Sequence, residues 1–562
     1  MGYALTLVAL VAALALAWRY LGSYMVAVFE GRVHYLGFVE RPIYRLLGTS
    51  PDREQSWKRY AGALIFFSGV SMLVTFAILR LQGYLPLNPQ HLGSVSPALS
   101  FNTAASFVSN TNWQNYAGER TMSYFSQMGA LTVQQFVTPA VGIAVAIVLV
   151  RGFARHSFAT VGNFWVDITR CLFYILLPIA FLAGIVFVAE GAVQTLAGTA
   201  TVHDVLNGVV QVIARGPIGF MEAIKQLGTN GGGFLNANSA TPFENPTGLT
   251  NFISMFLLLC IPFSLTYTFG KMVGSVRQGA TLLAVMAILF GVWVGFTSYA
   301  EHQNNPAVAA AGVHSTVGNT EGKEVRFGDT SSALFGVSST STSTGSADAA
   351  YDSFTPMGGM GLLTGMMIGE VSPGGTGSGL YTLLVYAIIA VFIGGLMIGR
   401  TPEYLGKKIQ AREVKLAGLA ALVMPIVVLV VTALAVSLAS GRAGPLNAGP
   451  HGFSEILYGL TSQGNNNGSA FGGLNGNTPF YNVIGAIDML LGRFAIIVPV
   501  LALGGSLAAK GVVPESLGTF RTDNSMFVGL VIGVVLIIGG LTFFPAISLG
   551  PIVEQLSHQR FF

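Results

Sequence analysis

The sequence predicts an all-α polytopic membrane protein: about ten transmembrane helices, set as four span–pore-helix–span repeats around one pore, with one extra span at each end. Three observations predict it. The 562 residues are 52% hydrophobic and only 9% charged, whereas a soluble domain carries about a quarter charged residues. Apolar runs of roughly 20 residues, the length that crosses a bilayer, begin near Ala4, Ala61, Val133, Leu172, Phe252, Leu282, Leu380, Leu416, Val483 and Phe527. Four short polar segments stand between them: Ser109–Asn112, Gly228–Gly233, Thr342–Ser346 and Asn465–Ser469.

Taken in order, the run from Met1 to Tyr24 has no basic residue ahead of its apolar stretch, and Arg19 comes after it. It is therefore expected to be a retained span rather than a cleaved leader. Lys and Arg then mark the sides. Arg32, Arg41, Arg45, Arg53, Lys58 and Arg59 follow the first run, and Arg151, Arg155 and Arg170 the third. Lys271 and Arg277 follow the fifth, Arg400 to Lys415 the seventh, and Lys510 and Arg521 the ninth. By the positive-inside rule these connections are cytoplasmic, so both termini and all four polar segments face outward.

A short stretch precedes each polar segment: Ser100–Val108, Phe220–Leu227, Leu334–Ser341 and Phe453–Thr461. Each is about two turns, too short to cross but sufficient for a half-helix. The internal repeat is then 60–155, 165–275, 279–405 and 414–512, with extra spans at 1–30 and 524–548. Tails of one kind follow three of the segments, beginning Thr241-Pro242, Thr355-Pro356 and Thr478-Pro479. The stretch from Ala300 to Phe327 has no periodic pattern and reads as an outward loop of no catalytic importance.

Irregular backbone at membrane depth persists only where protein buries it or water lines it. Small amide, hydroxyl and glycine residues in four matching places suggest carbonyls turned to a common axis, which replace the water around a dehydrated cation. Half-helix C-termini pointing there add partial negative charge. The reading is an ion pore folded from one chain. Cys171 and Cys260 fit no metal-ligand spacing and read as buried thiols.

Three other features bear on function. The stretch 366–379 holds Pro373 and five glycines and cannot continue a helix through the seventh span. Arg493 lies within the ninth span, where an ionised group is a functional candidate by default. Glu222, Lys225, Asp488 and Glu119 are further candidates, each equally explained by polar anchoring at the interface. No phosphate-binding Gly-rich loop ending in Gly-Lys-Ser/Thr and no Asp-Lys-Thr-Gly-Thr tract is present. The longest cytoplasmic connection, 30–60, is too short to fold as an ATP-binding domain. If the chain takes part in active transport, a partner must supply the energy.

The tracts Ser109–Tyr116, Gly228–Asn238, Asn465–Gly473, Gly369–Leu380 and Gly399–Lys407 resemble the superfamily of K+ transporters. Within it, they are most similar to the channel-like A subunits of the Kdp potassium-transporting ATPases, and the likeness runs essentially from end to end. The resemblance implies that Gly231, Gly345 and Gly468 belong to a K+ selectivity filter. Their neighbours Thr229, Asn230, Ser343, Thr344, Asn466 and Asn467 join them, and Asn110, Thr111 and Asn112 fill the first repeat without a glycine. It implies that Gln114 influences affinity at the filter mouth. It also implies that 366–379 is a gating loop, with Gly369, Glu370, Gly374, Gly375, Arg493 and Arg400 assigned to the gate and Glu370 facing Arg493. The transported ion would be K+, with no organic cofactor. The implied partners are a P-type ATPase subunit, a single-span periplasm-facing subunit and a small membrane subunit, in a bacterial inner membrane. The alternative is a stand-alone K+ channel or symporter of the same superfamily. A solute transporter of inverted repeats would place its polar tracts on opposite sides, and these four share one.

Overall fold

The computed structural model describes residues 2–203, 208–313, 315–397, 399–514 and 520–557. Among them, ten helices are long and apolar enough to cross a membrane, and each contains or adjoins the start of one predicted apolar run.

Helix α1 (Tyr3–Phe29) is the extra N-terminal span and packs along α7, defined below. The first repeat is α2 (Trp57–Leu81), the half-helix α3 (Pro97–Val108) and α4 (Ser126–Ala154). The second is α5 (Phe164–Ala189), half-helix α6 (Ile218–Leu227) and α7 (Gly248–Met272). The third is α8 (Val276–Glu301), half-helix α9 (Gly328–Thr340) and a broken second arm, α10 (Pro356–Met367) and α11 (Ser378–Met397). The fourth is α12 (Ala411–Ser437), half-helix α13 (Gly449–Gly464) and α14 (Pro479–Ala508). Helix α15 (Ser525–Ile547) closes the chain against α8 and α11.

Local sequence explains the starts. Thr355 and Thr478 cap α10 and α14, accepting from the N–H of Gly358 and Tyr481, with proline at the first helical position, where its missing N–H costs nothing. In the second repeat the matching tail at Thr241 does not start the helix. Thr247 does, through a reciprocal capping box with Thr250. The break between α10 and α11 falls on the glycine- and proline-bearing stretch, as expected. The stretch 300–327 is more than a loop: it carries Lys323, whose Nζ lies 2.6 Å from Glu301 Oε2 with both side chains buried.

Burial follows position. Helix α4 is buried over almost its whole length, whereas α1 exposes Leu5, Val8, Val11 and Leu16. Cys171 and Cys260 are buried and unpaired. Outside the bundle lie two small antiparallel sheets. One pairs β1 (Ala200–His203) with β2 (Val210–Ile213), the other β3 (Glu403–Tyr404) with β4 (Lys407–Lys408).

Candidate functional site

The four half-helices end at the four polar segments, and those segments meet. A side chain on Gly231 would collide with the backbone of Gly345 and Ser346, one on Gly345 with Gly468, and one on Gly468 with the Thr111 carbonyl. Gly232 completes the circuit by lying against Asn112. Hydrogen bonds cross the same joints. Asn230 Nδ2 donates to Asn110 Oδ1 at 2.6 Å, Gly345 N–H to Asn230 O at 3.2 Å, and Asn466 Nδ2 to Thr111 Oγ1 at 3.0 Å.

The backbone repeats as well. Asn110, Thr229, Ser343 and Asn466, at equivalent places, all have positive φ, between 49° and 69°. Only Asn takes this region readily, so Thr229 and Ser343 are strained. Two residues on, Gly231 (φ 90°), Gly468 (φ 94°) and Asn112 (φ 56°) return to positive φ. Gly345 breaks the pattern by staying outside the left-handed region, so its need for glycine is steric. Buried polar atoms here have no protein hydrogen-bond partner: both side-chain amide atoms of Asn112, and Oδ1 of Asn230.

Outside the ring opens a vestibule of about 710 Å³ bordered by Asn112, Gln114, Gly231, Asn238, Gly345 and Gly468. Gln114 Nε2 donates to Gly233 O at 3.0 Å, which sets it at the rim. Against the loop, between α11, α12 and α14, is a cavity of only about 50 Å³, bordered by Gly369, Glu370, Asn465, Asn466, Tyr381 and Arg493.

The loop between α10 and α11 lies under the ring and touches every repeat. Gly374 N–H donates to Ser341 O at 2.7 Å, and Thr376 N–H to Thr229 Oγ1 at 3.0 Å. Ser343 Oγ donates to Glu370 Oε2, and Asn467 Nδ2 to Glu370 Oε1 at 2.9 Å. Gly375 abuts Ser343, while Gly377 and the Thr376 carbonyl press against Gly142 of α4. Glu370 thus joins the third and fourth segments from below.

Other expected residues fall differently. Arg493 shares the small cavity with Glu370, but its Nη2 donates to Thr138 O at 3.3 Å rather than pairing with that carboxylate. Arg400 is not brought to the loop. It is exposed beyond the far end of α11, and 20 helical residues put about 30 Å between the helix ends. Thr344 is buried, its hydroxyl bonded to Thr342. Glu119 accepts from Asn236 N–H at 2.9 Å in the outer loops. Asp488 is fully buried on α14 with neither carboxylate oxygen hydrogen-bonded.

Glu222 and Lys225 are not interface anchors: both are fully buried, 2.6 Å apart. Glu244, which sequence reasoning passed over, completes a triad at 2.5 Å from Lys225. Nothing local in the sequence marks it, because it lies 19 residues from Lys225 in an irregular tail.

The arrangement can strip and hold a cation, with carbonyls and neutral amides in the ring, helix C-termini aimed at it and a carboxyl group below. Among the described residues, no basic side chain borders the vestibule at the ring.

A family model described as "Potassium-transporting ATPase A subunit" matches residues 8–556. A potassium-transporting ATPase potassium-binding subunit of Granulibacter bethesdensis is 54% identical over 546 residues, 96% of each chain. The subunit of the same name from Mesorhizobium japonicum is 55% identical over 541 residues, 96% of this chain and 95% of that one. Among solved structures, the potassium transporter TrkH of Vibrio parahaemolyticus aligns with a TM-score of 0.51 and 15% identity, covering 88% of this chain and 96% of that one. At that identity the likeness speaks for the fold alone.

Proposed function

This chain belongs to the family of potassium-transporting ATPase A subunits, and from that premise we propose that it is the K+-binding and translocating subunit of an ATP-driven potassium uptake complex. The observation that carries the reading is the closed circuit of four polar segments with a loop pinned beneath them. K+ enters the vestibule past Gln114 and sheds water against carbonyls of Asn110–Asn112, Thr229–Gly231, Ser343–Gly345 and Asn466–Gly468. It then meets the loop at Gly369, Glu370, Gly374 and Gly375. A ring of carbonyls selects among cations by replacing hydration, and a passive pore could not accumulate them. The loop therefore halts the ion above the cytoplasm, and Arg493, a fixed positive charge in the small cavity against the loop, opposes onward passage down the axis. The ion leaves sideways toward an ATP-hydrolysing partner.

In this reading the repeats run 60–155, 165–275, 279–405 and 414–512, flanked by the spans at 1–30 and 524–548. The chain sits in a bacterial inner membrane with both termini outside. It works with a P-type ATPase subunit, a single-span periplasm-facing subunit and a small membrane subunit. K+ is cargo, not a resident cofactor.

The test is ATP hydrolysis by the complex that co-purifies with the tagged chain, titrated with K+ and then Na+. Stimulation by K+ alone, lost in Gly231→Asp with the complex still assembled, is the expected result. Hydrolysis indifferent to K+, or unchanged ion preference in the variant, would refute the assignment. Absence of any associated ATPase would favour the stand-alone channel or symporter.

A further inference from the structure

Behind the second segment, a fully buried ammonium meets the side-chain amide of Asn238, which borders the vestibule. Lys225 Nζ is surrounded by Glu222 Oε2 at 2.6 Å, Glu244 Oε2 at 2.5 Å and Asn238 Oδ1 at 2.9 Å. A lysine ammonium has three donors and no acceptor; it donates to Glu244 Oε2 and Asn238 Oδ1 and pairs by charge with Glu222 Oε2, so only the oxygen of Asn238 can face it. That choice is reinforced. Asn238 Oδ1 also accepts from Ser239 N–H at 2.9 Å and Ser346 Oγ at 3.2 Å.

With its oxygen committed, the Asn238 amide must present nitrogen on the other side, and there Nδ2 donates to Gly231 O at 2.7 Å. Gly231 is, with Thr229, a left-handed residue of the second segment, and Asn238 borders the vestibule. The carboxylates are fixed in turn. Glu244 Oε1 accepts from Leu235 N–H at 2.7 Å, and Glu222 Oε1 from Gln226 Nε2 and Ser239 Oγ, each at 2.8 Å. Gln226 Nε2 also reaches Ser346 Oγ at 2.8 Å, so the network grips the second and third segments together.

We propose that Lys225 is a positioning residue for ion selection: by fixing the orientation of the Asn238 amide, it holds the Gly231 carbonyl at the filter mouth. Lys225 never touches the ion. The inference rests on the K+-selecting role proposed above. The Asn238 Oδ1 links the buried lysine to the Gly231 carbonyl.

The experiment uses the assembled complex and reads K+-stimulated ATP hydrolysis, giving KM for K+ and kcat separately, with the same measurement in Rb+ and Na+. Two variants are compared with the native complex. Asn238→Leu keeps size and removes the donor to Gly231. Lys225→Met with Glu244→Gln removes the ammonium and one carboxylate charge together, avoiding a second uncompensated buried ion. Losing one hydrogen bond to a buried carbonyl is expected to raise KM for K+ about tenfold. With kcat within about twofold and K+ preference over Rb+ reduced, both variants would show one phenotype. A structural role alone would lower the amount of assembled complex or kcat and leave the ion preference unchanged, and that outcome overturns the proposal. So does an unchanged KM in Asn238→Leu, which tests the filter contact even if the double variant fails to assemble. If the native complex itself shows no K+ dependence, the function proposed above falls first, and this inference with it.

Discussion

At the scale of single residues, the filter is defined by what cannot be added to it. Gly468 has φ 94°, and a side chain there would strike the Thr111 carbonyl. Gly468→Ala therefore meets both a backbone penalty of about 1–3 kcal/mol and a collision with an oxygen proposed to face the ion. The chain should still insert, because α13 and α14 are untouched. Its preference for K+ over Na+ should fall about tenfold or more, equivalent to ~1.4 kcal/mol, measured by ion-stimulated hydrolysis of the complex. Preference equal to the native value would mean that the Gly468 carbonyl takes no part in selection. Gly345 is a contrasting case, since it needs glycine for space and not for φ, a difference the shared glycine does not disclose.

At the scale of elements, two contacts hold the ring's supports in place. Gly142 of α4 lies against the Thr376 carbonyl, so Gly142→Ala should displace the loop from below and raise passive K+ leak in vesicles, with binding at the vestibule retained. No added leak would show that the loop tolerates the shift. On the outer side, His451 at the start of α13 reaches Asp352 Oδ1 at 3.0 Å through Nε2 and Glu554 Oε1 at 2.9 Å through Nδ1. Burial pushes its pKa down, but hydrogen bonds and charge from Asp352 and Glu554 outweigh that and lift it from 6.5 to about 10. A pKa raised on folding gives stability that is complete below the unfolded value and lost as pH climbs through the folded one. The thermal midpoint of the native chain should thus exceed that of His451→Gln by about 2 °C near pH 6, and the gap should close toward pH 10. A gap that widens with pH would reverse the assignment. The spans, half-helices and polar segments were legible because hydropathy and composition are local properties. His451 was not, because Asp352 and Glu554 lie 99 and 103 residues away. The Lys225 triad was half legible: Glu222 stands one turn from it, whereas Glu244 and Asn238 arrive only through the tail's fold.

At the scale of the whole molecule, the geometry separates selecting an ion from conducting it. The vestibule outside the ring holds about 710 Å³, whereas the cavity against the loop, between the third and fourth repeats, holds only about 50 Å³, so the loop meets no comparable space there. The loop is held by bonds to the second, third and fourth repeats and by packing on the first, so its anchorage is shared among all four. That the loop existed was readable from its glycines; that it is pinned to every repeat was not, because its partners Thr229, Ser343 and Asn467 looked like filter residues only and Ser341 like the end of a half-helix. Purified alone in K+-loaded vesicles, the chain should therefore pass little K+, despite its complete filter. Replacing 371–376 by a shorter polar linker, which removes the Gly374 and Thr376 contacts, should produce a K+-selective leak that the native chain lacks. The measurement is efflux of K+ against Na+ at equal protein density. A large leak through the native chain would mean that the loop does not close the axis. A variant that remains tight would move the barrier elsewhere, to Arg493 and the narrow cavity itself.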